Sequence, residues 1–357
     1  QRKLKGSFNL LLYKYLLPRG TIFSAVSGAK WTYVGPAGQD HWEDNYPYCG
    51  GAFQSPINIM SDLMRFDPTL RPVDVRNYNL SPNEQLTLGN NGHSAQISLP
   101  SKMYLLGLHH RYSAAQLHFH WGSSSSPAGS EHMVNNKQYA AEMHIVHFNS
   151  DKYSSISMAV DKSDGLAVLG VLIEVGEFNP AFEQFLKFII GIKYKDEKVP
   201  VPGFNIRSLL PAQLDEYYRY DGSLTTPPCY PSVLWTVFRN PVTISYQQYM
   251  SLVTTLFSSH AQDSVSVPMS SNYRKPQPLE GRVVLVSFKE DIGYILTDSV
   301  CVNFPGLMVP AVVCSALGLL LIVSVMCYLL RQKRSEAQQG KNQGAGYSVG
   351  EQDEYGS

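Results

Sequence analysis

The sequence lacks an excess of either charge: Lys plus Arg and Asp plus Glu number 29 each in 357 residues. No net field draws in nucleic acid or an anionic surface, so no nucleic-acid partner is expected and a small molecule suits the chain better. Internal repeats are absent, which excludes a repeat array. A His-Glu-x-x-His segment is also absent, and with it the helical zinc site of metallopeptidases. Cysteine is scarce, at five residues, and charge is missing altogether between Val300 and Leu330.

That uncharged run carries the first positive inference. Leu307 to Leu330 supplies 24 mostly apolar positions, and a hydrocarbon core needs about 20 residues of helix. Arg331, Lys333 and Arg334 follow at once, and basic residues mark the cytoplasmic end of a span. The sequence therefore predicts a single-pass type I protein of the plasma membrane. Residues 30–291 form an extracellular globular domain, 292–306 a juxtamembrane linker, 307–330 a transmembrane helix and 331–357 a polar, disordered cytoplasmic tail. Ala311 and Ser315 make a small-xxx-small pair that allows helix association and hence a homodimer.

Cys314 and Cys327 lie within the span and Cys301 at its edge. Cys49 and Cys229 remain in the globular part, and an oxidising exterior predicts a disulfide between them. Asn79-Leu80-Ser81 is a glycosylation sequon, with Pro82 behind it weighing against occupancy. Residues 1–29 have the basic start, apolar run and small residues of a signal peptide, interrupted by Lys14 and Arg19. A signal peptide and a mispredicted start both fit, and these residues are set aside from the fold.

Within 30–291, strand-like runs outnumber helices. Strands are expected at Ala95 to Leu99, Ala115 to Trp121, Ala140 to Phe148, Leu166 to Val175, Val233 to Phe238 and Val283 to Phe288. One helix should start at the Asn179 cap and Pro180, burying Phe182, Phe185, Leu186, Ile189 and Ile190 before Gly191. A second should follow a Ser245–Gln248 capping box. The fold class is α+β and sheet-dominated, with one C-terminal transmembrane helix.

Two of the strands carry the chemistry. Successive strand side chains point to opposite faces, so His118 and His120 share a face roughly 7 Å apart at ~3.3 Å rise per residue. In the second strand Glu142, His144 and Val146 share one face and Met143, Ile145 and His147 the other, and strand pairing can bring a third imidazole to the first two histidines. Three neutral imidazoles with a fourth position open form the ligand set of a catalytic zinc ion. Spacing alone leaves a hydrogen-bonded histidine pair open as well.

Further motifs surround these: Trp31-Thr32-Tyr33, Gln54-Ser55-Pro56-Ile57, Asn90-Asn91-Gly92-His93, Gln116 to Gly122, Gly129-Ser130-Glu131-His132, Ala141 to His147 and Gly222 to Pro228. In these residues the chain resembles the α-class carbonic anhydrases from Lys30 to about Phe288, and the membrane-bound members most of all. The resemblance implies a large, mostly antiparallel twisted sheet with peripheral helices. It implies a zinc enzyme that interconverts carbon dioxide and bicarbonate and takes sulfonamide-type inhibitors, with His118, His120 and His144 as Zn²⁺ ligands and Gln116 and Glu142 orienting them.

By the same resemblance Thr225 orients the zinc-bound hydroxide while giving its proton to Glu131. Val146, Val168, Leu224, Val233 and Trp235 form an apolar wall for carbon dioxide, Tyr33, Asn91, His93, Gln96 and Thr226 a polar wall, and Thr225 and Thr226 also bind substrate. His93, expected at a pocket rim with an ordinary pKa of about 6.5, exports the proton. Two other classes compete: a family member that has lost its metal and serves as a binding module, and an unrelated zinc hydrolase. The intact ligand positions, Glu131 and Thr225 argue against the first.

Overall fold

The computed structural model describes residues 30–289 and 324–332. The chain divides into two units, Gln1–Glu290 and Asp291–Ser357. In the second unit residues 324–332 are helical. Among the described residues no helix is long and apolar enough to cross a membrane. Of the expected span, 307–323 lie outside the described residues, as do the leader-like segment 1–29, the linker 292–306 and the tail from 333 onward.

The first unit is built on a 13-stranded sheet. Its central order runs from Gln85–Asn90 through Ala95–Ser98, Tyr112–Trp121, Ala141–Asn149 and Leu166–Val175 to Val233–Phe238 and Tyr217–Gly222. Most pairings are antiparallel; Leu166–Val175 runs parallel to Val233–Phe238 and to Val242–Ile244, and Val284–Val286 parallel to Met64–Phe66. Every residue of Ala141–Asn149 is buried, because this strand has a neighbour on each side and packed side chains on both faces.

Strand alternation splits the core. Leu117, Phe119, Met143, Ile145 and Leu169 point to one face and meet Phe182 and Phe185 of the Pro180–Leu186 helix. Phe119 and Phe185 stack at 5.1 Å and 20°, and truncating either to Ala should cost about 3–5 kcal/mol through the cavity left behind. The opposite face carries Val146, Val168, Val233 and Trp235, and with them the histidines.

The expected strands are present within a few residues at their ends. Asn179 caps the first helix, its side chain accepting from the Ala181 N–H, and the Ser245–Gln248 capping box is reciprocal. The first helix is shorter than expected: it ends at Leu186, and Ile189–Ile192 forms a 3₁₀ turn. The tighter turn buries Ile189 and Ile192, three apart, and leaves Ile190 68% exposed rather than in the core.

Candidate metal centre

Register brings the histidines together. His118 lies directly across from His144 and His120 across from Glu142, while Gln96 pairs with His118 from the other side. One nitrogen each from His118, His120 and His144 lies within 4.8 Å of the others.

Which nitrogens face inward is set by acceptors outside. His118 Nδ1 donates to Gln116 Oε1 at 2.8 Å, His120 Nδ1 to the Asn272 carbonyl at 2.8 Å, and His144 Nε2 to Glu142 Oε1 at 2.7 Å. The nitrogens left are His118 Nε2, His120 Nε2 and His144 Nδ1, all without protons. Burial holds all three imidazoles neutral: it drives His118 well below its ordinary pKa, His120 to about 3, and His144 down against the pull of Glu142.

Three converging lone pairs need a cation. A tetrahedral zinc ion with bonds of ~2.0–2.1 Å holds its ligand nitrogens about 3.3 Å apart; His120 Nε2 and His144 Nδ1 are 3.2 Å apart. A second observation points the same way. Glu131 Oε2 is buried without a hydrogen-bond partner and lies 3.9 Å from His144 Nδ1. Donor set, spacing and the orphaned oxygen all fit Zn²⁺.

The carboxylates differ in charge. Burial opposes ionisation of Glu142, but His132, His144 and their hydrogen bonds hold it well below the usual range. Its oxygens accept from His132 Nδ1 at 2.7 Å and from the Glu131 and His132 backbone N–H groups at 2.9 and 2.8 Å, as well as from His144. Glu131 moves the opposite way: burial and the neighbouring Glu142 charge push it well above the usual range, against the Thr225 hydroxyl and Arg274, which favour its anion. Thr225 thus lies against Glu131, yet Oε2 has no hydrogen bond of normal geometry.

Around this centre the remaining candidates fall in two groups. Val146, Val168, Val233 and Trp235 are buried in one apolar cluster with Leu224 packed against it, and the Trp235 ring is 4.8 Å from that of His144. On the polar side Asn91 Nδ2 donates to Gln96 Oε1 at 3.4 Å, and Asn91 Oδ1 accepts from the His93 N–H at 2.9 Å. Burial, with Glu131 adding to it, raises the Tyr33 hydroxyl well above its ordinary pKa. Thr226 sits beside the disulfide, its carbonyl accepting from the Cys229 N–H at 2.9 Å. Cys49 and Cys229 are bonded, as expected. Asn79 is exposed, with a backbone bridge to Asn205.

His93 departs from its expectation. Its ring is half-buried and stacked on Trp31, with centroids 3.6 Å apart and planes 7° from parallel. Burial, with the Lys195 charge adding to it, lowers its pKa to about 4.

Four residues without a sequence-derived role also belong to the site. Asn272 positions His120 through its carbonyl and Trp121 through its side chain. Arg274 donates its backbone N–H to Glu131 Oε1 at 2.8 Å. His132 bridges Glu142 and the Tyr220 hydroxyl, the latter at 2.6 Å. The sequence signal for His132 was its place beside Glu131; Asn272, Arg274 and Tyr220 carried none.

Comparison with known proteins agrees with this geometry. The family model described as eukaryotic-type carbonic anhydrase matches residues 37–288. The chain is 47% identical to carbonic anhydrase 12 of Homo sapiens over 322 residues, covering 90% of this chain and 89% of that protein. It is 39% identical to carbonic anhydrase 1 of Mus musculus over 265 residues, 74% of this chain and 100% of that one. With carbonic anhydrase 6 of Homo sapiens it shares 40% identity over 263 residues, 72% and 83% of the two chains.

Proposed function

The chain belongs to the eukaryotic-type carbonic anhydrase family and catalyses the reversible hydration of carbon dioxide; we propose that it does so at the outer face of the plasma membrane, with Thr225 and Glu131 orienting the reacting water and His93 exporting the proton. The observation that carries the zinc-dependent reading is the convergence of three unprotonated histidine nitrogens whose outer N–H groups are already spent.

Zinc held there supplies the Lewis acidity that ionises water near pH 7, a value that belongs to carbonic anhydrases themselves. Gln116, Asn272 and Glu142 lock the tautomers, so no proton has to leave the imidazoles when the metal binds. The added positive charge favours Glu131 as its anion. Thr225 then donates a hydrogen bond from its hydroxyl to Glu131 and keeps its oxygen lone pairs to accept one from the reacting water. Val146, Val168, Leu224, Val233 and Trp235 offer carbon dioxide a dry wall. Tyr33, Asn91 and Gln96 hold water on the other side, and the raised pKa of Tyr33 keeps it a hydrogen-bond relay rather than an acid.

His93 can accept a proton near neutrality once it leaves the Trp31 stack, because in water an imidazole regains a pKa of about 6.5. Placement outside the cytosol is supported by the uncharged run from Val300 to Leu330 with basic residues behind it, and by the disulfide. The layout follows: 30–291 as the extracellular catalytic domain, 307–330 as the span, and Ala311 with Ser315 as a contact for a homodimer. Intact cells expressing the protein test this reading with a membrane-impermeant sulfonamide, which should abolish their carbon dioxide hydration. Hydration that resists the inhibitor until the cells are lysed would reverse the topology.

A further inference from the structure

We infer that Ser55 is a positioning residue for carbon dioxide hydration, because its three polar groups tie together Thr225, Glu131 and the metal ligand His144. Ser55 is fully buried. Two of the sequence motifs meet at it, Gln54-Ser55-Pro56-Ile57 and Gly222-Ser223-Leu224-Thr225. The Ser55 N–H donates to Ser223 Oγ at 2.9 Å, and the Ser223 N–H donates to Ser55 Oγ at 3.0 Å. The Trp235 indole N–H holds the Ser223 carbonyl at 3.0 Å. Ser223 stands two residues before Thr225, so fixing its N–H, hydroxyl and carbonyl limits where the Thr225 hydroxyl can stand.

The Ser55 carbonyl reaches Glu131. It accepts from Arg274 Nη1 at 2.9 Å, and the Arg274 backbone N–H donates to Glu131 Oε1 at 2.8 Å. The Ser55 hydroxyl reaches the metal ligand. Glu142 is an anion and can only accept, so His132 Nδ1 donates to its Oε1 at 2.7 Å. In a neutral imidazole the other nitrogen accepts, so the Tyr220 hydroxyl donates to His132 Nε2 at 2.6 Å and its oxygen accepts from Ser55 Oγ at 2.9 Å. Glu142 Oε1 also accepts from His144 Nε2 at 2.7 Å. The donors thus run in one direction, from the Ser223 N–H through Ser55, Tyr220 and His132 to Glu142, and each polarises the next.

A serine that merely filled space would tolerate a side chain beside it. Here a Cβ on Gly222 would collide with Ser55 Oγ and stand 2.8 Å from Tyr220 Cε2, so glycine at the end of that strand lets the hydroxyl reach Ser223 and Tyr220 together. Removing the hydroxyl orphans the buried Ser223 N–H and frees the Tyr220 hydroxyl to turn. Thr225 and His144 then both lose definition through a change that touches neither. The Thr225 arm rests on the orienting role proposed for that residue; the His144 arm does not.

The full chain is loaded with zinc and two quantities are read: the rate of zinc release to a chelator, and the isotope-exchange rate between carbon dioxide and bicarbonate at saturating zinc. Ser55→Ala should release zinc at least tenfold faster and slow exchange about tenfold, as for other partners of metal ligands. Tyr220→Phe deletes one oxygen and should speed zinc release to the same degree, which keeps the His144 arm testable if Ser55→Ala does not fold. A serine that acts through Thr225 adds nothing once Thr225 is gone, so the Ser55→Ala/Thr225→Ala double variant should exchange no more slowly than Thr225→Ala. Zinc release at the parent rate in either single variant overturns the proposal, and so do exchange losses that multiply in the double variant. Thr225→Ala exchanging at the parent rate would instead strike the orienting role of Thr225, and zinc release alone would then decide for or against Ser55.

Discussion

His120 Nε2 and His144 Nδ1 face each other at 3.2 Å while both outer nitrogens already donate elsewhere, to the Asn272 carbonyl and to Glu142. Two lone pairs at that distance repel in a dry interior, and the fold holds them together because the two strands are fixed by their ladder on both sides. A cation between them converts that repulsion into binding energy. The metal is therefore part of the stability of the domain as well as of its chemistry.

Stripping zinc with a chelator should lower stability by about 4 kcal/mol relative to protein held at a thousandfold excess of metal over its Kd. For a domain of this size that is roughly 8–16 °C in Tm. Zinc should restore both Tm and hydration. His144→Ala should lose stoichiometric zinc and activity together, since two imidazoles cannot complete the site. A His144→Ala protein with full metal content and full rate removes the assignment.

The disulfide is tied to the same site by two routes. Cys229 closes the turn after Thr225 and Thr226, and the Cys49 carbonyl accepts from Arg274, whose backbone N–H holds Glu131. Replacing both cysteines with Ser should lower unfolding stability by about 2–4 kcal/mol, read from urea melts. If Thr225 and Glu131 orient the reacting water as proposed, it should also lower kcat more than it raises KM. A double variant with parent stability and parent kcat would show that the bridge does neither.

Much of this centre was legible in the sequence, for a geometric reason. Gln116 and Glu142 stand two residues before a ligand, and on a strand that spacing puts partner and ligand on one face. Asn272 was not legible: it acts on His120 through a backbone carbonyl, which every residue has, from an irregular segment 152 positions away. Arg274 works on Glu131 through an equally generic backbone N–H. In the fold, Lys198–Pro202 carries a weak strand signal because Pro200 and Pro202 have no N–H to give a ladder; it pairs on one side only, with Gln85–Asn90, where a missing N–H is tolerated. The stacking of His93 was hidden too, since Trp31 lies sixty-odd positions upstream in a segment without strand or helix.

Acid should destabilise the domain partly through His147, far from any exposed surface. It is buried, with Nε2 accepting from the Tyr78 hydroxyl at 2.5 Å and Nδ1 donating to the Ala167 carbonyl at 3.2 Å, and burial lowers its pKa to about 4. The unfolded chain has an ordinary pKa of about 6.5. Above that value both states are neutral and the histidine costs nothing. As pH falls from 6.5 toward 4 only the unfolded state takes up the proton, so stability drops, by about 3 kcal/mol at most. His147→Gln keeps a donor and an acceptor without the titration, and should flatten the slope of unfolding free energy against pH in this window. An unchanged slope would place the acid sensitivity in other groups.

The Trp31–His93 stack yields the sharpest kinetic expectation. In the stack the imidazole has a pKa of about 4, too low to take a proton at neutrality; turned into water it returns to about 6.5 and can both accept and release one. If proton export runs through His93, then His93→Ala should leave zinc content and the isotope-exchange rate between carbon dioxide and bicarbonate near the parent values, because neither needs a proton delivered to bulk solvent. Steady-state hydration in weak buffer should fall, by roughly ten- to a hundredfold, and added imidazole should restore much of it. Trp31→Ala should act oppositely to burial, freeing the ring and moving the basic limb of the export step toward pH 6.5. Equal rates for His93→Ala and parent at low buffer, or a slowed variant that imidazole cannot rescue, would assign proton export to another route, with the Tyr33, Asn91 and Gln96 wall as the nearest path.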